Sequence, residues 1–155
     1  MFDDNRDTTA LNGLIATTLD SVDGYRRSAE EATSSRFSEE FRTRATEREQ
    51  VVATLRDEVR RLGGNPEDDG TVLAAAHRAF LTLRDRMTGS DDHAVIAEVD
   101  RGETYLNDKW ETALKDDRLS PETRAVIGNC YDSIRAGHDR WEQVHQAIDA
   151  GNARA

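Results

Sequence analysis

Residues 92–115 place their apolar side chains at the alternating three- and four-residue spacing of a helix that faces a core. One carboxylate, Glu103, interrupts this apolar stripe. The stripe itself consists of Val95, Val99, Leu106, Trp110 and Ala113. Such a helix must be surrounded by other helices, which limits the chain to a helical assembly.

Three other long segments show stripes of the same kind, and they predict helices over about residues 8–32, 37–62 and 120–150. A shorter amphipathic helix is predicted over residues 71–87. The polar break at residues 33–36 is short, so the second helix must fold back antiparallel to the first. Gly63, Gly64 and Pro66 end the second helix.

The order of these segments predicts an all-α protein built as two antiparallel hairpins. A long crossover containing the extra helix joins them, so the third long helix runs parallel to the second. This is the connectivity of ferritin-like four-helix bundles. We expect one domain over residues 8–150, with flexible ends at residues 1–7 and 151–155.

Charge and hydropathy exclude several classes of partner. The net charge is -10, and no face rich in Lys and Arg offsets it. We therefore expect neither nucleic acid nor a membrane surface as a partner. The N-terminus is acidic, and no apolar run approaches about 18 residues, which predicts a cytoplasmic protein. The single cysteine, Cys130, falls on an apolar stripe and is interpreted as a core residue.

Four short motifs carry a resemblance to a known family: Leu62-Gly63-Gly64, His77-Arg78-Ala79-Phe80, Asp100-Arg101-Gly102-Glu103 and Gly137-His138-Asp139-Arg140. Over roughly residues 8–148 the chain resembles an uncharacterised bacterial family of ferritin-like four-helix-bundle proteins. That family tends to carry Glu at Asp100, an acid at Thr104 and Trp at Phe80. The resemblance implies a ferritin-like fold and brings no assigned reaction.

A di-iron centre in such a bundle needs a Glu on each of two helices and Glu-x-x-His on each of the other two. This chain has one such motif, Glu142 to His145, and the corresponding segment of the second helix ends in Gln50. The first helix offers no inward acid, and the third offers Glu103. At 1.5 Å per residue, Glu103 and His145 lie roughly 15 Å apart along the bundle axis. A complete di-iron centre is not expected.

The first candidate constellation lies at mid-height. Arg48 falls near the middle of the second helix's stripe, level with Glu103 and within reach of Tyr131. We predict a structural ion pair between Arg48 and Glu103 that sets the register of the bundle. The alternatives are that Arg48 extends along the surface to water and that Glu103 reaches water at the stripe edge.

The second candidate constellation lies nearer one end of the bundle. His138, Glu142 and His145 share one side of the last helix, and His93 is level with His145. Imidazoles at this spacing, with Glu142 as a third ligand, suit Zn²⁺ or another transition metal. Glu103 is the other candidate ligand. The alternative is that these histidines line a half-exposed helix edge and bind no metal.

These patterns predict a non-enzymatic ferritin-like bundle that acts as a structural or partner-binding protein. Ferritin-like relatives suggest a setting in stress physiology. The alternative is a metal-binding ferritin-like protein, either an iron or redox enzyme or a metal carrier, with an incomplete site. Iron and zinc are the candidate metals, and a second copy of the chain or another protein is the candidate partner.

Overall fold

A computed structural model describes residues 4–70 and 92–154. Its helices are α1 (Asp4–Glu31), α2 (Ser35–Arg61), α3 (His93–Leu114) and α4 (Pro121–Arg154). No strand occurs in these residues, so the prediction of an all-α chain with four long helices is confirmed. The short helix predicted over residues 71–87 lies outside the described residues.

Two buried aspartates show how the ends of the helices meet. Asp92, just before α3, accepts hydrogen bonds from the backbone N–H groups of Thr33 and Ser34 at 2.7 and 2.9 Å. The start of α3 therefore lies beside the turn between α1 and α2. At the opposite end, Asp7 accepts hydrogen bonds from the Ser120 N–H and the Thr123 hydroxyl, both at 3.0 Å.

These contacts give the direction of each helix. Both α2 and α3 begin at the end that contains Asp92, whereas both α1 and α4 begin at the end that contains Asp7. The most extensive packing is between α1 and α2, followed by α3 against α4. α1 begins at Asp4, earlier than the sequence predicts, and Asp7 ties this first turn to the start of α4.

The core consists of two apolar clusters, one towards each end. The cluster nearer Asp7 is built around Trp110, whose indole N–H donates to the Thr18 hydroxyl at 3.3 Å. The cluster nearer Asp92 contains Phe41 packed on Trp141, with ring centroids 4.7 Å apart. The predicted stripe of α3 is buried in these clusters, apart from the partly buried Ala113. Burial of such stripes is what stabilises helices of this length.

The motif that follows α2 forms a tight helix end. Gly63 has a φ of 81°, a left-handed conformation that favours glycine. The N–H of Gly64 then donates to the carbonyl of Val59 at 3.0 Å. A Cβ on Gly64 would lie 2.7 Å from the Thr8 side chain, so the turn packs directly on α1. No helix of the described residues is long and apolar enough to cross a membrane.

We expect Asp7→Ala to lower the free energy of unfolding by about 1 to 3 kcal/mol, because it leaves the buried Ser120 N–H and Thr123 hydroxyl without their acceptor. Urea unfolding followed by circular dichroism measures this loss. Asp57→Ala is the matched control, since Asp57 is an exposed aspartate in a surface ion pair, and its effect should stay within about 0.5 kcal/mol. Equal effects of the two variants would contradict a structural role for Asp7.

Candidate functional site

The centre of the bundle holds a buried ion pair between α2 and α3. Arg48 Nη1 donates to Glu103 Oε1 at 2.9 Å, and Nη2 donates to Oε2 at 2.7 Å. Arg48 is fully buried and Glu103 is 3 % exposed. Nη1 also donates to the Ser21 hydroxyl of α1 at 2.9 Å. The structure thus brings together the two residues that the sequence placed at mid-height, in the bidentate geometry that suits arginine.

The two remaining helices shape the space around this pair. The ring of Tyr25, on α1, lies 5.5 Å from the Arg48 guanidinium carbon, in cation–π range. Gly137, on α4, faces the pair from the other side. A Cβ at Gly137 would lie 2.7 Å from Glu103 Oε2 and closer still to Arg48 Nη2. Only a glycine lets the backbone of α4 approach so closely, so all four helices contribute to this site.

Burial and charge set the protonation states at the centre. Desolvation lowers the pKa of Arg48, but Glu103 and Tyr25 outweigh it, and the pKa of the guanidinium ends above its usual value. Desolvation, and then the charge of Glu103, raise the pKa of the Tyr25 phenol well above 10.0. Arg48 therefore stays a cation and Tyr25 stays neutral across the physiological range.

The residues at the centre do not fit a di-iron site. Such a site takes carboxylate and imidazole ligands from all four helices. Among the described residues, α3 offers Glu103 and α2 faces it with a guanidinium. The other two helices contribute Ser21, Tyr25 and Gly137. Both oxygens of Glu103 already accept hydrogen bonds from Arg48, and the space beside them is too small for a methyl group at Gly137.

Tyr131 does not join the central pair, contrary to the expectation from its axial position. Its hydroxyl lies within hydrogen-bonding distance of Asn107 Oδ1, at 3.0 Å, and of Glu111 Oε1, at 2.9 Å. It lines a groove of about 480 Å³ between α3 and α4. The neighbouring Cys130 packs against the core cluster near Asp7, and burial raises the pKa of its thiol, as suits a packing residue.

Of the three predicted ligands His138, Glu142 and His145, the structure places His138 beside Glu142 and gives His145 a different partner. His138 Nε2 lies 3.4 Å from Glu142 Oε2 and 3.3 Å from the Thr104 hydroxyl. His145 instead places Nδ1 2.7 Å from Asp100 Oδ2. The reason is the helix rise, since seven residues separate the two histidines by about 10 Å along one face of α4. They cannot share one metal ion.

His145 meets His93 and Asp149 near the end of α4, and we call these three residues the end cluster. His93 Nε2 lies 2.7 Å from Asp149 Oδ1, and His145 Nε2 lies 3.4 Å from Asp149 Oδ2. The two imidazole rings are 5.7 Å apart. The sequence placed His93 level with His145, but it predicted no contact of either histidine with Asp149 or Asp100. The four-residue spacing from His145 to Asp149 was the available signal.

Gly137→Ala should destabilise the protein by at least about 1 kcal/mol, because the added methyl group overlaps the buried ion pair. The free energy lost by this overlap should exceed the free energy gained from the higher helix propensity of alanine. Gly102→Ala is the matched control. Gly102 lies inside α3, is exposed, and has open space at the Cβ position. This variant should gain about 0.5 to 1 kcal/mol. Chemical unfolding of both variants tests the opposite signs, and a stabilised Gly137→Ala would contradict the close approach.

We expect Tyr25 to make the protein less stable at alkaline pH. Its pKa is raised in the folded state, so above about pH 10 the unfolded chain loses the phenol proton first and unfolding becomes more favourable, by about 1.4 kcal/mol per pH unit. Tyr25→Phe removes this dependence. The stability of wild type minus that of Tyr25→Phe should be constant below pH 10 and fall above it, as measured by urea unfolding. A difference that stays constant up to pH 11 would contradict the buried phenol.

Comparison with known proteins identifies a family whose function is unknown. No curated protein matches the chain. A family model described as "Domain of unknown function (DUF2383)" matches residues 7–116. The matched region includes α1, α2 and α3, with both members of the central ion pair, and it ends before α4. Because this region is most of the chain, the protein belongs to the DUF2383 family of domains of unknown function.

Proposed function

We propose that this chain is a ferritin-like four-helix bundle whose centre is held by an ion pair instead of a metal pair. We further propose that it acts as a non-enzymatic structural or partner-binding protein. The observation that carries the proposal is the buried, bidentate contact between Arg48 and Glu103. A setting in stress physiology, implied by the resemblance to ferritin-like proteins, belongs to the same proposal.

The directions of the helices support the ferritin-like part of the proposal. α2 ends near Asp7 and α3 begins near Asp92, so these two consecutive helices run parallel. Parallel second and third helices occur in ferritin-like bundles and not in bundles in which every connection is short.

The central pair supports the non-enzymatic part. A carboxylate inside a bundle needs a cation, and in di-iron proteins metal ions supply it. Here the permanently charged guanidinium of Arg48 supplies it, and Gly137 brings the backbone of α4 against the pair. On the side of α4, this arrangement leaves too little room beside Glu103 for even a methyl group at Gly137.

The surface of the described residues favours a structural role or a polar contact over a large apolar interface. Leu14 is buried in the core cluster near Asp7. Tyr105 on α3 is the exposed large hydrophobic residue of the described part, at 52 %. Lys109 lies over its ring. A partner would meet scattered polar and charged side chains more than a contiguous apolar patch.

Metal binding is the second candidate function, and a different part of the molecule favours it. The end cluster of His93, His145 and Asp149 gathers two imidazoles and a carboxylate on the surface, remote from the central pair. Metal binding there would be compatible with a structural bundle.

Replacement of the central pair tests the proposed structural role. Arg48→Met and Glu103→Gln each remove one member, and Arg48→Met should cost about 3 to 5 kcal/mol because it leaves a buried carboxylate without its cation. The double variant Arg48→Met with Glu103→Leu replaces the pair by apolar side chains and should recover most of this loss. An unchanged melting temperature for Glu103→Gln would show that the pair does not hold the bundle together.

Iron titration of the same proteins tests the non-enzymatic role. Addition of Fe²⁺ in air to untagged wild-type protein should produce no Fe²⁺ oxidation that depends on Glu103. Wild type and Glu103→Gln should therefore give the same result. Binding of two irons per chain, with oxidation that Glu103→Gln abolishes, would overturn the proposal and establish a metal centre in the middle of the bundle.

A further inference from the structure

We propose that His93, His145 and Asp149 form a binding site for one divalent transition-metal ion, with Zn²⁺ as the ion that fits best and Asp100 as a positioning residue. The site joins the first residue of α3 to the last turns of α4. It shares no residue with the central ion pair, so it does not depend on the proposed structural function.

The distances within the end cluster suit a single metal ion. One nitrogen of each histidine and one carboxylate oxygen of Asp149 all lie within 4.8 Å of one another. Tetrahedral zinc with bonds of about 2.0 to 2.1 Å separates its ligand atoms by about 3.3 Å. The separation of His93 Nε2 from Asp149 Oδ1, 2.7 Å, and that of His145 Nε2 from Asp149 Oδ2, 3.4 Å, lie on either side of this value. Small rotations of surface side chains would bring all three donors to bonding distance.

Asp100 orients His145 within the end cluster. The Nδ1 of His145 lies 2.7 Å from Asp100 Oδ2, so an N–H at Nδ1 donates to the carboxylate. The lone pair of the imidazole then resides on Nε2, the atom that faces Asp149 and His93. A carboxylate that holds a histidine in this way is a common feature of metal sites. The two oxygens of Asp100 differ. Oδ2 lies at His145 Nδ1, whereas the buried Oδ1 makes no hydrogen bond with the described residues.

The chemistry of the donors selects the class of metal. Two imidazole nitrogens and one carboxylate oxygen form a mixed set that suits zinc and other first-row transition metals. Calcium and magnesium prefer a shell made entirely of oxygen atoms. The end cluster is partly open to water, since His93 and His145 are half-buried and Asp149 is exposed. A water molecule can therefore complete the coordination, which makes this an open site with three protein ligands.

Isothermal titration of untagged, chelator-treated full-length protein with ZnCl₂ tests the proposal. We expect one zinc per chain, and a rise in melting temperature on binding because the ion ties α3 to α4. His93→Ala and His145→Ala should each weaken zinc affinity at least about tenfold, since each removes a ligand. His138→Ala is the matched control, because His138 is a half-buried histidine of α4 outside the end cluster, and it should leave zinc affinity unchanged.

Asp100→Asn tests the positioning role separately. It should weaken zinc binding about 10- to 100-fold while the stoichiometry stays at one ion per chain. The visible absorption of Co²⁺ bound in place of zinc should keep its shape in Asp100→Asn, because the three ligands remain, and should change in His145→Ala. A merely structural effect of Asp100 would alter the melting temperature without altering zinc affinity.

Several results would overturn the metal site. These are a failure of wild-type protein to bind zinc, binding that His93→Ala and His145→Ala leave intact, and binding that requires His138 and Glu142 instead. Circular dichroism of each variant establishes that the helices are retained, and His93→Gln provides a second, more conservative test at the start of α3. Glu103→Gln should leave zinc binding unchanged, so failure of the central-pair proposal and failure of the metal site are distinguishable.

Discussion

The buried contact between Arg48 and Glu103 is the constraint around which all four helices are positioned. Removal of two charges from water is costly, and the loss is offset only when the geometry is good and the remaining polar atoms are satisfied. The first helix supports the pair with the Ser21 hydroxyl and the Tyr25 ring, and the last helix makes room for it at Gly137, but Arg48 Nε makes no hydrogen bond with the described residues. A shift of any one helix along its axis would separate the pair from these supports.

Buried polar contacts also connect the helices at the two ends of the bundle. Asp92 ties the start of α3 to the turn between α1 and α2, and Asp7 ties the start of α1 to the start of α4. Each is a buried carboxylate that accepts hydrogen bonds from backbone N–H groups and a threonine hydroxyl, with two N–H donors at Asp92 and one at Asp7. Polar contacts at three heights therefore specify the register, while the two apolar clusters between them supply most of the stability.

The motifs that carry the resemblance acquire separate structural roles. In the motif of residues 100–103, Asp100 holds His145 and Glu103 binds Arg48. In the motif of residues 137–140, Gly137 makes room for the central pair, and Arg140 binds Glu40 across to α2 at 2.8 Å. The two acids of the first motif thus lie in different environments, Glu103 at the centre of the bundle and Asp100 beside the proposed metal site.

The sequence by itself determined the four long helices and the two charged residues on their buried faces, Arg48 and Glu103, because the spacing of apolar side chains depends only on the helical repeat. It therefore placed Arg48 and Glu103 at one height. Only the tertiary structure decided which side chains meet, because the rotation of one helix against another is set by packing over its whole length. That rotation turned Tyr131 away from the central pair, brought Tyr25 beneath it, and joined His145 to Asp100 and His93, leaving His138 apart.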